Sequence, residues 1–147
     1  MKKKALFGLI ILLIAVCVTI FFVIRTDSGL PRHSSLDDIT FEENVVNVYY
    51  FWGNGCPHCA RQFEFLNEIN VEIGEKFNLY AFEVWHNEDN AELVHEIAEM
   101  MDTTFRGVPF TVIGDQVITG FRPDEILAAI DSAYDAEFDV MRIFKGE

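Results

Sequence analysis

The chain has 147 residues, half of them hydrophobic, and a formal net charge of −13 at pH 7. That length holds one domain of ordinary size plus an appendage. The acidic excess excludes a protein that seeks nucleic acid or anionic lipid.

The appendage comes first. Lys2, Lys3 and Lys4 precede an uncharged run of 20 residues from Ala5 to Ile24, which as a helix would extend about 30 Å and match a bilayer core. A cleaved signal peptide has a shorter apolar stretch and then a small-x-small site. This run closes instead on Ile20-Phe21-Phe22-Val23-Ile24 and Arg25, so it is expected to stay as a transmembrane helix. Cys17, behind the bulky Val16, is expected to face lipid or pack. The lysines belong on the cytoplasmic side. Beyond residue 25, seven basic residues stand against 24 acidic ones, a net of −17. That part is expected outside the cell membrane, where disulfides persist. The expected organisation is a single-pass anchor over 1–25, a Ser/Asp-rich linker over 26–43 with room for one short element near Leu36 to Phe41, and a globular domain over 44–147.

Val45 to Phe51 has the continuous apolar character of a buried parallel strand. It runs into Phe51-Trp52-Gly53-Asn54-Gly55-Cys56-Pro57-His58-Cys59, and a helix is predicted from Cys56 or Pro57. Cys59, Phe63, Leu66, Ile69, Ile73 and Phe77 recur at spacings of three and four, one face of a helix. Pro57 lacks an N–H and has a preset φ, so it suits a first helical turn. Cys56 then lies at the helix tip, where unpaired N–H groups and the positive end of the dipole favour a thiolate. Cys59 lies one turn inward on the buried face, so Cys56 is expected to attack and Cys59 to resolve. His58 adds a titratable group beside them; protonated or donating, it would favour the thiolate and make the disulfide a stronger oxidant. A structural disulfide is the plainer alternative. Zinc wants four ligands, and no second Cys pair or His-x3-His follows, so neither a metal nor another cofactor is expected.

A second strand is predicted over Asn78 to Val84. Glu83 within it is either a strand-end surface carboxylate or a candidate proton acceptor for Cys59. Asn87 caps a helix from Glu88 to Met101, with Glu88 and Asp89 complementing its dipole. His86 and His95 are expected at the surface. Arg106 to Ile113 and Gln116 to Gly120, joined by Gly114-Asp115, form a hairpin, and Pro109 marks a strand entry or edge. Pro123 opens a last helix with Ile126, Ile130, Tyr134, Phe138 and Met141 on one face, ending as late as Phe144.

The order strand, helix, strand, helix, hairpin, helix, with Cys-x-x-Cys at the first strand–helix junction, resembles the thioredoxin-like superfamily. The resemblance covers residues 44 to 134. It rests on Phe51-Trp52-x-x-x-Cys56-x-x-Cys59, on Gly107-Val108-Pro109-Phe110 and on Gly120-Phe121. It implies an α/β fold of β-α-β-α-β-β-α order, a central mixed sheet flanked by helices, here behind an N-terminal transmembrane helix. It also implies a cis Val108–Pro109 bond beside the cysteines and a client-docking edge at Val108, Pro109 and Trp52. Cys-Pro-His-Cys and Val-Pro look like the Dsb-type oxidants, whereas thioredoxins carry Gly-Pro between their cysteines. Tyr50 stands six positions before Cys56, where thioredoxins bury an acid, and 50 positions from Cys59 to Pro109 leave no room for the helical insertion of Dsb-type proteins.

The expected function is therefore an extracytoplasmic, membrane-anchored thiol–disulfide oxidoreductase using Cys56, Pro57, His58 and Cys59. It would oxidise cysteines of exported proteins and be reset by a separate redox partner. The same chemistry run as a reductase or isomerase, and a non-catalytic module with a structural Cys pair, are the alternatives.

Overall fold

The computed structural model describes residues 33–73, 76–136 and 138–146. The apolar run over 5–24, its flanking lysines and Cys17 lie outside the described residues. Among the described residues no helix is long and apolar enough to cross a membrane.

Eight elements follow a short 3-10 turn at Leu36–Asp38. They are β1 Val46–Trp52, α1 Pro57–Glu72, β2 Phe77–Glu83, α2 Glu88–Met100, β3 Phe110–Ile113, β4 Gln116–Thr119, α3 Pro123–Tyr134 and α4 Val140–Lys145. The sheet is mixed, in the order β2-β1-β3-β4. β1 pairs in parallel with β2, and β1–β3 and β3–β4 are antiparallel. All seven residues of β1 are buried because it is central and covered on both faces. The hairpin turns at Gly114, whose φ of 55° suits glycine and whose added Cβ would sit 3.0 Å from that of Ala133 on α3.

Strand alternation divides the core in two. Val46, Val48, Tyr50 and Trp52 face α1 and α3 through Leu66, Ile69, Ile126 and Ile130. Tyr49 and Phe51 face α2 and α4 through Leu93, Val94, Ile97, Val140 and Met141.

Phe77, expected on the face of the first helix, instead opens β2, because α1 ends at Glu72, and two longer stretches also differ from expectation. The segment expected as a linker packs on the domain from His33 onward. Ser34 N–H donates to Ala81 O at 2.8 Å, Thr40 N–H donates to Tyr80 Oη at 3.0 Å, and Ile39 is buried. It thereby satisfies groups on the otherwise open edge of β2. His33 lies beside Asn87, whose Nδ2 is 3.2 Å from its ring, so the chain enters the domain at the carboxyl ends of β1 and β2.

The single last helix is instead two, α3 and α4. Asp139 is extended, caps α4 through Met141 N–H and Arg142 N–H, and accepts hydrogen bonds from Tyr49 Oη and Asn47 Nδ2. This half-buried acceptor breaks the run and turns the chain around the sheet. Met141 therefore serves the opposite core from Ile126 and Ile130, while Tyr134 and Phe138 stay partly exposed.

Candidate active site

Cys56 is the N-cap of α1 and Pro57 its first residue. The loop before it is short and glycine-rich. Gly55 has φ of 84°, a left-handed conformation that glycine adopts without strain, and Cys56 N–H returns to Gly53 O at 3.1 Å. The two cysteines are joined as a disulfide, with Cα atoms 5.2 Å apart. Cys56 retains 8% of its surface and Cys59 2%, so an incoming thiolate reaches Cys56 first.

The backbone N–H of Cys59 points at Cys56 Sγ, 3.2 Å away. A helix N-terminus leaves its first N–H groups without intrahelical partners, and here one of them is aimed at the sulfur that would carry charge after reduction. Cys59 is held from behind. The hydroxyl of Tyr50, fully buried, donates to Cys59 O at 2.8 Å, and burial pushes the Tyr50 phenol up, so it stays protonated and donating. Tyr50 thus occupies the position of a buried acid but fixes geometry instead of accepting a proton.

His58 is exposed, and its Nδ1 lies 2.7 Å from Arg61 Nη2. A guanidinium only donates, so Nδ1 accepts and the ring's N–H is on Nε2. Gln62, also on α1, is buried and donates to Thr111 Oγ1 of β3 at 2.5 Å. An apolar spacing pattern passes over such a polar core residue, and Gln62 takes the inward place next to Phe63, which is only partly buried.

Glu83 has a role that its strand-end position alone did not reveal. The pairing of Trp52 with Glu83 sets it across from the start of the cysteine loop. Its carboxylate accepts from Asn54 N–H at 3.1 Å, Trp85 N–H at 3.0 Å and His86 N–H at 2.8 Å. Burial pushes this carboxyl up, but the backbone donors of His86, Asn54 and Trp85 outweigh it and hold it below the ordinary range. Its oxygens are committed to joining two loops, which makes it a poor proton acceptor for Cys59.

On the other side of the cysteines the Val108–Pro109 bond is cis, and Pro109 is buried at the entry to β3. Val108 packs against the cluster that contains Trp52, Cys56 and Cys59. Trp52, expected at the docking edge, is only 7% exposed and lies beneath it. The aromatic that faces solvent at this end is Trp85, 53% exposed. Its ring lies so close over Gly53 that an added Cβ there would run into it. Among the described residues, no group of three or more His, Cys, Asp or Glu is placed to hold a metal ion.

No protein-family model matches the chain, and a search of curated proteins finds no match. Among solved structures, it is similar to an uncharacterized thioredoxin-like protein from Clostridium perfringens. That likeness has 25% identity and a TM-score of 0.52, and covers 68% of this chain and 78% of that one. It is also similar to a thioredoxin of Malassezia sympodialis, with 21% identity and a TM-score of 0.50 over 71% of this chain and 95% of that one. The fold is thioredoxin-like. The disulfide at its first strand–helix junction has the position and surroundings of a thiol–disulfide redox centre.

Proposed function

We propose that this chain is a membrane-anchored thiol–disulfide oxidoreductase that acts outside the cytoplasm and oxidises cysteine pairs in exported proteins. The observation that carries the chemistry is the Cys59 N–H directed at Cys56 Sγ, at a helix tip, with Cys59 buried behind it. Such a site favours the reduced, thiolate form, and a couple whose reduced form is favoured is an oxidant. On the same turn Arg61 donates to His58 Nδ1, which leaves the ring's Nε2–H as the donor that His58 can offer. Anchoring and location rest on the lysine cluster and apolar run of the sequence.

In the oxidising direction a client thiolate attacks Cys56 Sγ. The bond to Cys59 breaks, and Cys59 leaves as a thiolate. A second client thiolate then attacks the client sulfur of the mixed disulfide, releasing Cys56. Two client thiols become a disulfide, the two electrons reside in the Cys56 and Cys59 thiols, and a separate membrane or soluble disulfide partner must remove them.

The test is redox equilibration of the full chain in detergent with glutathione, read by mass spectrometry of trapped thiols. An oxidant gives a potential well above the roughly −270 mV of thioredoxin, toward the roughly −120 mV of the strongest oxidants. His58→Gly should lower it by a few tens of mV, about tenfold in equilibrium constant per 30 mV. A parent value near that of thioredoxin would favour the reductase reading. If the reduced Cys59→Ser variant, whose Cys56 thiolate can only attack a disulfide and displace one of its sulfurs, forms no mixed disulfide with oxidised glutathione or any disulfide-bonded client, the pair is structural.

A further inference from the structure

We propose that Trp85 is a specificity residue that reads the client side chain two positions from the reacting cysteine and selects an apolar one. The inference rests on the oxidoreductase reading and adds the kind of client segment that the site accepts.

The sheet order puts three loop ends side by side: the end of β2 with Trp85, the end of β1 with Gly53 and Cys56, and the entry to β3 with Val108. Neighbouring strands are about 4.8 Å apart, and an extended segment advances about 3.3 Å per residue with alternate side chains on one side. Among the described residues, no hydrogen bond engages the N–H or C=O of Val108, so a backbone edge is open there. An extended client segment lying against Val108 with its cysteine at Cys56 would carry the side chain two residues further on, away from Val108, over the β2 end. Trp85 is what it meets.

The indole is placed for that contact. One side of the ring rests on Gly53, and the residue remains about half exposed, so a broad apolar surface is held in position at little cost in side-chain freedom. The Glu83 carboxylate binds Trp85 N–H and Asn54 N–H through the same oxygen, which ties the platform to the loop that carries Cys56. An apolar partner on such a ring changes a rate or affinity by about three- to tenfold.

The experiment uses the oxidised full chain in detergent and reduced peptides with a single cysteine. The peptides differ only in carrying Leu or Ser two positions before or after it, both uncharged. Mixed-disulfide formation at Cys56 is quenched with acid and timed. The Leu peptide should react about three- to tenfold faster than the Ser peptide for one of the two positions. Trp85→Ala should abolish that ratio, Trp85→Phe should keep most of it, and Val71→Ala, at a remote exposed site, should not alter it.

The unaltered protein provides a second reading, because Trp52 is buried and Trp85 is the exposed one of its two tryptophans. Acrylamide quenching should fall in the Leu-peptide mixed disulfide and not in the Ser-peptide one. Equal rates for Leu and Ser peptides, or unchanged quenching, would overturn the role of Trp85 while leaving the redox reading intact. Failure of every peptide to form a mixed disulfide would remove both.

Discussion

At the residue scale, Glu83 joins sequence to chemistry most directly. One carboxylate holds the backbone of both loops flanking the cysteine motif, and removing it leaves three N–H groups to find other partners. Glu83→Ala is expected to cost about 1–3 kcal/mol of stability, measured by urea unfolding. The pH dependence has a definite sign. The folded carboxyl is held below its ordinary value of 4.5, so its contribution is complete above 4.5 and is lost as pH falls through the lower folded value. The parent should therefore lose melting temperature over that acidic interval, and Glu83→Ala should lose less. Parallel curves for the two would remove Glu83 as the titrating group. A single acid at the end of an apolar strand carries no mark of this role; the donors come from three residues on two loops brought together by the β1–β2 pairing.

At the scale of elements, the break between α3 and α4 depends on Asp139. Its carboxylate caps α4 and accepts from the buried Tyr49 hydroxyl at 2.8 Å and from Asn47. Tyr49 is pushed up by burial and by the adjacent Asp139 charge, so it remains a donor. Asp139→Ala removes a cap worth about 1 kcal/mol and strands a buried hydroxyl at about 1–3 kcal/mol. A total loss of about 2–4 kcal/mol is expected in chemical denaturation. Tyr49→Phe, which keeps the cap and the ring packing, should cost less than Asp139→Ala; the reverse order would show that the cap is not the main link.

For the whole molecule, the entry point of the chain constrains how the proposed anchor presents the active site. The first described residue of the segment docked along β2, His33, lies beside Asn87, at the same end as Cys56. The eight residues from Arg25 to Arg32 can reach at most about 30 Å when fully extended. Cys56 should therefore lie near the bilayer surface, facing clients as they emerge or partners within the membrane. With the full chain in lipid nanodiscs, energy transfer from a label on reduced Cys56 to a headgroup acceptor should report close approach, and a 20-residue Gly/Ser insertion after residue 28 should weaken it. Transfer that is insensitive to the insertion would contradict the arrangement. Recovery of the chain in the soluble fraction would remove the anchor itself.

Local pattern in the sequence determined the element order from β1 to the start of α3, the position of Cys56 at a helix tip with Cys59 one turn inward, and the hairpin at Gly114-Asp115, while the cis Val108–Pro109 bond came through a family resemblance. Each of these depends on residues near one another in the chain: spacing of apolar side chains, a proline in a first turn, a glycine in a tight reversal. Tertiary structure alone decided the rest. Tyr50 as a donor to Cys59 O, Glu83 as a clamp, Gln62 paired with Thr111, Trp85 lying over Gly53 and Asp139 dividing the last helix all join residues distant in sequence. Their side chains act by what stands opposite them, and that partner exists only once the strands have paired and both faces of the sheet are covered.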